Sequence, residues 1–216
     1  MTLPNPWRRT RILTAALALA LAPLLGGCAG SLLPGGGEPP RLFALTPKST
    51  FAPDLPAVRR QLIIELPQAA AGLNSTRIAI LQSATSLNYY ARASWTDLAP
   101  VMVQTLMVES FENTGRIVAV GRESIGLRAD FNLKTDLREF QAQHQDGKPP
   151  LIHVRVNGKL VRMPERQIVA AQTFEEIAPA GGSGLEAAIA SFDDALGKVL
   201  KRLVEWSLRT IAAQPE

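Results

Sequence analysis

Apolar and polar residues alternate with period two along several stretches of this chain and follow the helical period along two others. Residues 41–47, RLFALTP, form a short strand with Leu42 and Ala44 toward the core and Phe43 and Leu45 as further core candidates. Residues 59–67, RRQLIIELP, carry Leu62, Ile63, Ile64 and Leu66 as a buried strand does. RIAILQ, 77–82, and SLNYYARASW, 86–95, make a hairpin across SATS. A helix is predicted over 97–113, with Thr96 as its cap, Asp97 and Pro100 in its first turn and Gly115 as its stop. Its apolar positions Leu98, Val101, Met102, Leu106, Met107 and Phe111 cover a broad face that packs on a sheet.

The second half of the chain reads the same way. RIVAVG, 116–121, is a short strand. Residues 128–143 alternate with Phe131, Leu133 and Leu137 on one face until Phe140 breaks the phase, which predicts a bulge near 138–140. HQDGKPP, 144–150, is a turn, and the next strand has Ile152, Val154, Val156 and Leu160 inward and His153, Arg155, Asn157 and Lys159 outward to solvent. A third strand places Ile168, Ala170 and Phe174 in phase and completes an antiparallel meander. After GGSG, the residues Leu185, Ile189, Phe192, Leu196, Val199, Leu203 and Trp206 mark an amphipathic helix of about seven turns. A second stripe, Leu200, Val204, Leu208 and Ile211, widens its apolar surface. That face packs on the sheet, or its distal turns around Trp206 to Ile211 meet another subunit or partner. The fold class is α/β in the α+β sense, a single domain over 41–213 with a largely antiparallel sheet packed by two main helices.

The N-terminus has a different rhythm. Arg8, Arg9 and Arg11 precede an apolar run over 12–25 that is too short to span about 30 Å of hydrocarbon and contains Pro23. It reads as a cleaved leader, residues 1–27. Leu25, Gly26, Gly27 and Cys28 resemble a bacterial lipobox, at which diacylglycerol is joined to the cysteine thiol, the chain is cut before it, and the new amino group is acylated. The alternative for a lone cysteine is a place in the core. Cys28 is the only cysteine of the 216 residues, so lipidation leaves none for a disulfide. Residues 28–40, rich in glycine and proline, form a tether whose root-mean-square span is roughly 20 Å. Alanine at position 29, where many inner-membrane lipoproteins have aspartate, points to the periplasmic face of the outer membrane.

Charge narrows the function classes. The formal net charge is +4 from 23 basic and 19 acidic residues, but three basic residues and no acid lie in the leader, which leaves +1. Nothing there favours nucleic acid. No catalytic constellation is legible: GGSG and GRESIG lack nucleophile-elbow spacing, and no phosphate-binding or dinucleotide fingerprint occurs. His144 and His153 stand nine apart without cysteine support, which excludes a recognisable metal set, and the neighbours Asp193 and Asp194 point different ways from a helix and are expected to be solvated. The chain is read as a non-enzyme without a cofactor beyond its covalent lipid. Tyr89, Tyr90, Trp95 and Trp206 are the candidate partner contacts, since aromatic residues suit surfaces that are apolar on one side and wet on the other. For Tyr89, Tyr90 and Trp95 the competing place is the core between hairpin and helix.

Three stretches in this order carry a resemblance: LNYYARASWTDLAPVMVQTLMVESFENTGRIVAV from Leu87, the strands from FNLKTDLREFQAQ to AAQTFEEIAPA, and GLEAAIASFDDALGKVLKRLVEW. Together they resemble the ABC-type transport auxiliary lipoproteins, the family that includes paraquat-inducible protein C and lipoproteins encoded beside MlaD-like proteins. The resemblance covers most of 41–207. It implies a non-catalytic docking component, anchored in the outer membrane, of an MCE-type ABC transport system that moves phospholipid or other hydrophobic molecules between membranes. The implied partners are an MCE/MlaD-like periplasmic protein and the membrane itself, with homo-oligomerisation left open. The alternatives are a structural or assembly lipoprotein of the envelope, and a carrier that holds lipid in an apolar cavity.

Overall fold

The computed structural model describes residues 39–123 and 128–215. By its contacts the chain divides into two units, Met1–Pro39 and Pro40–Glu216, and the fold described is that of the second. The leader, the lipobox residues Leu25, Gly26, Gly27 and Cys28, and nearly all of the tether lie outside the described residues.

One mixed sheet of nine strands is built around β7 (Phe131–Gln145), a strand of 15 residues. One edge of β7 pairs antiparallel with β8 (Lys148–Arg162), and β8 pairs antiparallel with β9 (Gln167–Pro179). This is the expected meander. Asp146-Gly147 closes its first hairpin, with Gly147 at φ 66°, the left-handed conformation that such a two-residue turn requires. The strands therefore run closer to the turn than residues 144–150 suggested. The register slips between Leu137 and Glu139, so the bulge falls where the phase of Phe140 placed it.

The other edge of β7 is shared, in chain order, by three parallel strands: β2 (Val58–Ile64), β3 (Gln68–Ala69) and β4 (Arg77–Ser83). Outside β4 come β5 (Ser86–Trp95), its antiparallel hairpin partner, and β1 (Arg41–Phe43), parallel to β5. Outside β2 comes β6 (Ile117–Arg122), again parallel. Most residue pairs are antiparallel because β7, β8 and β9 are long.

Among the described residues two helices cover one face. In α2 (Leu185–Ala212) both predicted stripes are buried from Phe192 to Ile211 except Trp206, which is partly covered, as are Leu185 and Ile189. Its first turn carries Glu186 and its last Arg209, each at the end where the helix dipole favours it. The helix α1 (Ala99–Glu112) begins two residues later than predicted, because the chain is still extended at Leu98 (ψ 134°), the residue at the cap position, and the Ala99 amide donates to the Ser75 carbonyl. Thr96 is thus no cap, and Asp97 stands before the helix, where its carboxylate accepts from the Leu98 amide at 2.7 Å.

Several expected core positions change. Leu42 and Ala44 are exposed, and Leu45 instead anchors the chain after β1. Leu66 is exposed, since β2 ends at Ile64. Leu98 is exposed and Val101 half-buried, with Val103 buried in their place. Ile168 is 57% exposed: a register shift against Leu160 and Val161 turns it to the opposite face from Phe174. Between β1 and β2 the chain crosses the helices as a strap pinned by Leu45 and Leu55.

Candidate functional site

The four aromatic candidates do not converge. Trp95, at the end of β5, is buried among Phe140 and Phe192, with ring centroids 5.4 and 5.3 Å away and the Phe192 ring edge-on. Phe140 and Phe192 are themselves 5.3 Å apart, so the three rings fill the space between sheet and helices. Trp95 is a core residue. Trp206 packs against Phe174 at 5.5 Å and lies over Gly158, where a side chain would meet it. Beyond it Leu208 and Ile211 are buried within the chain, so the distal turns of α2 are packed on their own domain instead of presenting an apolar face.

Tyr89 lies on the other face of the sheet. It pairs with Ala79, and the same row continues through Gln141, His153 and Ile177. Its hydroxyl donates to the Gly72 carbonyl at 3.2 Å, and the Arg77 guanidinium stacks 3.8 Å from its ring centre. Tyr90 is half-buried, and desolvation pushes its hydroxyl above the ordinary tyrosine range. Arg92, three positions after Tyr89, has φ 52°, and between Ala79 and Arg77 the hairpin register is irregular.

The outer face is a lattice of charges. His153 was expected to point to solvent; its face is correct, but the residue is only 8% exposed because side chains of both neighbouring strands close over it. The Gln143 amide nitrogen lies 3.0 Å from Nδ1 and a Glu175 carboxylate oxygen 2.6 Å from Nε2. With Gln143 donating to Nδ1, the ring proton sits on Nε2 and donates to Glu175. Arg155 bonds to Glu139, Lys159 to Asp136, and Lys134 to Glu65. His144 pairs with Asp146, in the turn. Among the described residues no group of three or more potential ligands is gathered for a metal ion. Sequence reasoning missed the His153–Glu175 contact, which needs the register of two strands 22 residues apart.

Asp193 and Asp194 separate as a helix demands. Asp193 accepts from the Thr46 amide at 2.6 Å and from its hydroxyl, so it holds the strap where it was expected to be solvated. Asp194 pairs with Lys198 at 2.9 Å, and Asp194 followed by Glu176 holds that ammonium above its usual range. A surface cavity of about 550 Å3 at the end of the sheet is lined by Gln61, Glu123, Arg128, Asp130 and Asn132, together with Ile63 and Met163. Its walls are too polar for an acyl chain.

The model of a family described as the ABC-type transport auxiliary lipoprotein component matches residues 42–204. This chain is a member of that family. The family is one of transport-associated lipoproteins, not a known enzyme family. A crystal structure of a Xanthomonas campestris protein shares 32% identity and superposes with a TM-score of 0.75, covering 79% of this chain and 95% of that one. A second solved structure, 12% identical with a TM-score of 0.62, shares the fold. A curated protein of Bradyrhizobium diazoefficiens is 28% identical over 185 residues, 82% of this chain. The chain spans about half the length of that relative, 48%.

Proposed function

We propose that this lipoprotein is the outer-membrane docking component of an MCE-type ABC transport system, held at the periplasmic face by acyl chains on Cys28 and without chemistry of its own. The observation that carries the reading is the family match over almost the whole described domain. The interior agrees with it. Trp95, Phe140 and Phe192 occupy the layer in which a lipid carrier would need an apolar cavity, so the domain contributes a surface and the hydrophobic cargo passes through its partners. Two or more acyl chains, each buried methylene adding about 0.8 kcal/mol, keep the domain at the membrane without a spanning segment.

The test is to crosslink the C-terminally tagged, full-length chain in cells, solubilise the membranes gently and identify what co-purifies. Recovery of an MCE-type protein with its permease is the expected result. Recovery of only a β-barrel or an envelope scaffold, with acylated Cys28 intact, keeps the anchor and removes the transport role.

A further inference from the structure

Among the described residues four strands have a single strand partner, the two-residue β3 and the outer strands β9, β1 and β6, and these last are guarded unequally. Strand β9 carries Arg202 of α2 across its margin: one guanidinium nitrogen donates to the Glu175 carbonyl at 2.7 Å while the other pairs with Glu176. Strand β1 is only three residues long. Strand β6 has six residues, and β2 is its one strand partner among the described residues. It has no proline or lysine, and Val118 in its middle is 71% exposed. An open edge of this kind is a template for another strand, which is why folded proteins usually block it.

Helix α1 overhangs that edge. Val120 and Arg122 of β6 face it, with Arg122 donating to the Thr105 hydroxyl at 2.6 Å, while Val118 stands exposed on the strand outside the groove. A groove of about 310 Å3 runs between the two elements, with Val108 and Val120 as its apolar floor and Glu109 and Glu112 at its rim. Among the described residues neither carboxylate has a hydrogen-bond or ion-pair partner from a side chain, whereas every acid of α2 has one: Glu186 with Arg41, Asp193 with the Thr46 hydroxyl, Asp194 with Lys198, Glu205 with Lys201.

We propose that β6 is a strand-addition site that takes an extended segment of another protein, with apolar side chains at alternate positions and a lysine or arginine opposite Glu109 and Glu112. Main-chain hydrogen bonds along the edge supply the attachment and the groove under α1 supplies selection. A segment paired along β6 runs past Val118, covers Val120 and Val108 in the groove and gives both carboxylates a cation. The inference rests on the reading of the chain as a docking component and names where the contact is made.

The experiment places a photo-crosslinking amino acid at Val118 of the full-length, membrane-anchored chain in cells, with a second at Thr173 on the outer face as control. The expected adduct, formed from position 118 alone, is a peptide of a different protein with alternating apolar residues and a basic residue. Val118→Lys and the pair Glu109→Lys with Glu112→Lys should each lower recovery of that protein roughly tenfold while the domain's melting temperature holds. An adduct with a second copy of this chain, an adduct with lipid only, no adduct, or recovery unchanged by both variants overturns the proposal. If the captured protein is not of the MCE type, the transport reading falls and the strand-addition site stands. If an MCE-type protein still co-purifies but position 118 yields nothing, the site falls alone.

Discussion

Thr46 and Asp193, 147 residues apart, are joined by a 2.6 Å hydrogen bond from the Thr46 amide to the Asp193 carboxylate, with the threonine hydroxyl adding a second donor. This clasp fixes the strap to α2 just beyond β1. Asp193→Ala should cost about 1 kcal/mol, the net worth of an ordinary hydrogen bond, since exposure to water weakens the advantage of the charged acceptor. The change should raise amide exchange in residues 44–57 before it does so anywhere in the sheet. Exchange confined to α2 would contradict the assignment.

The three-ring cluster makes a larger demand. Trp95→Ala or Phe192→Ala empties space that no neighbour can refill, at about 3–5 kcal/mol each. Urea unfolding checks this. Because the two rings touch, the double variant should cost less than the separate losses combined.

Ile168 and Phe174 separate the two possible phases of β9. Phe174→Ala removes a ring buried against Trp206 and should cost about 3–5 kcal/mol, whereas Ile168→Ser changes a side chain already in water and should stay within about 0.5 kcal/mol. Similar losses from both would mean that the register shift at Leu160 is absent.

Tyr90 gives a pH dependence. Burial favours its neutral form, so the folded value lies above the ordinary 10.0. Its contribution is complete below the unfolded value and is lost as pH rises toward and through the folded one. In a Tyr89→Phe variant the chain keeps one tyrosine, and its phenolate absorbance should appear only above pH 10, with unfolding stability declining over the same range. Ionisation at or below the ordinary value would show that the ring is solvated.

Both nitrogens of His153 are engaged, by Gln143 and Glu175. Zinc should therefore leave the melting temperature unchanged at concentrations well above micromolar, and a chelator should have no effect. A zinc-dependent rise abolished by His153→Gln would show that the pair opens to receive metal.

Long periodic segments were legible in the sequence because their pattern repeats many times: both stripes of α2, the alternation of β8, and the slip at Phe140 that marks the bulge. Leu42, Leu66 and Ile168 were misplaced because each lies within a residue or two of an element's end or a bulge, where one shift of phase exchanges the two faces. The β5–α1 junction failed for a related reason: Thr96 is a good cap by composition, but the chain stays extended through Leu98 and the Ala99 amide is held by the Ser75 carbonyl. The joining of β2, β3 and β4 to a single edge of β7 leaves no local trace, since parallel neighbours need not follow one another in the chain. For the same reason the His153–Glu175 contact and the open edge of β6 emerge only from the assembled sheet.

The strap meets α2 at four points in the same order as the helix itself: Arg41 at Glu186, Thr46 at Asp193, Ala52 at Glu205 and Asp54 at Arg209. These clasps cover about 35 Å of helix. A pull applied at residue 40 therefore reaches the Arg41–Glu186 pair first and the Asp54–Arg209 pair last. The fastening yields one clasp at a time, like a seam opened from one end: β1 peels from β5 just after the first clasp, and β2 is loaded only after the last has parted.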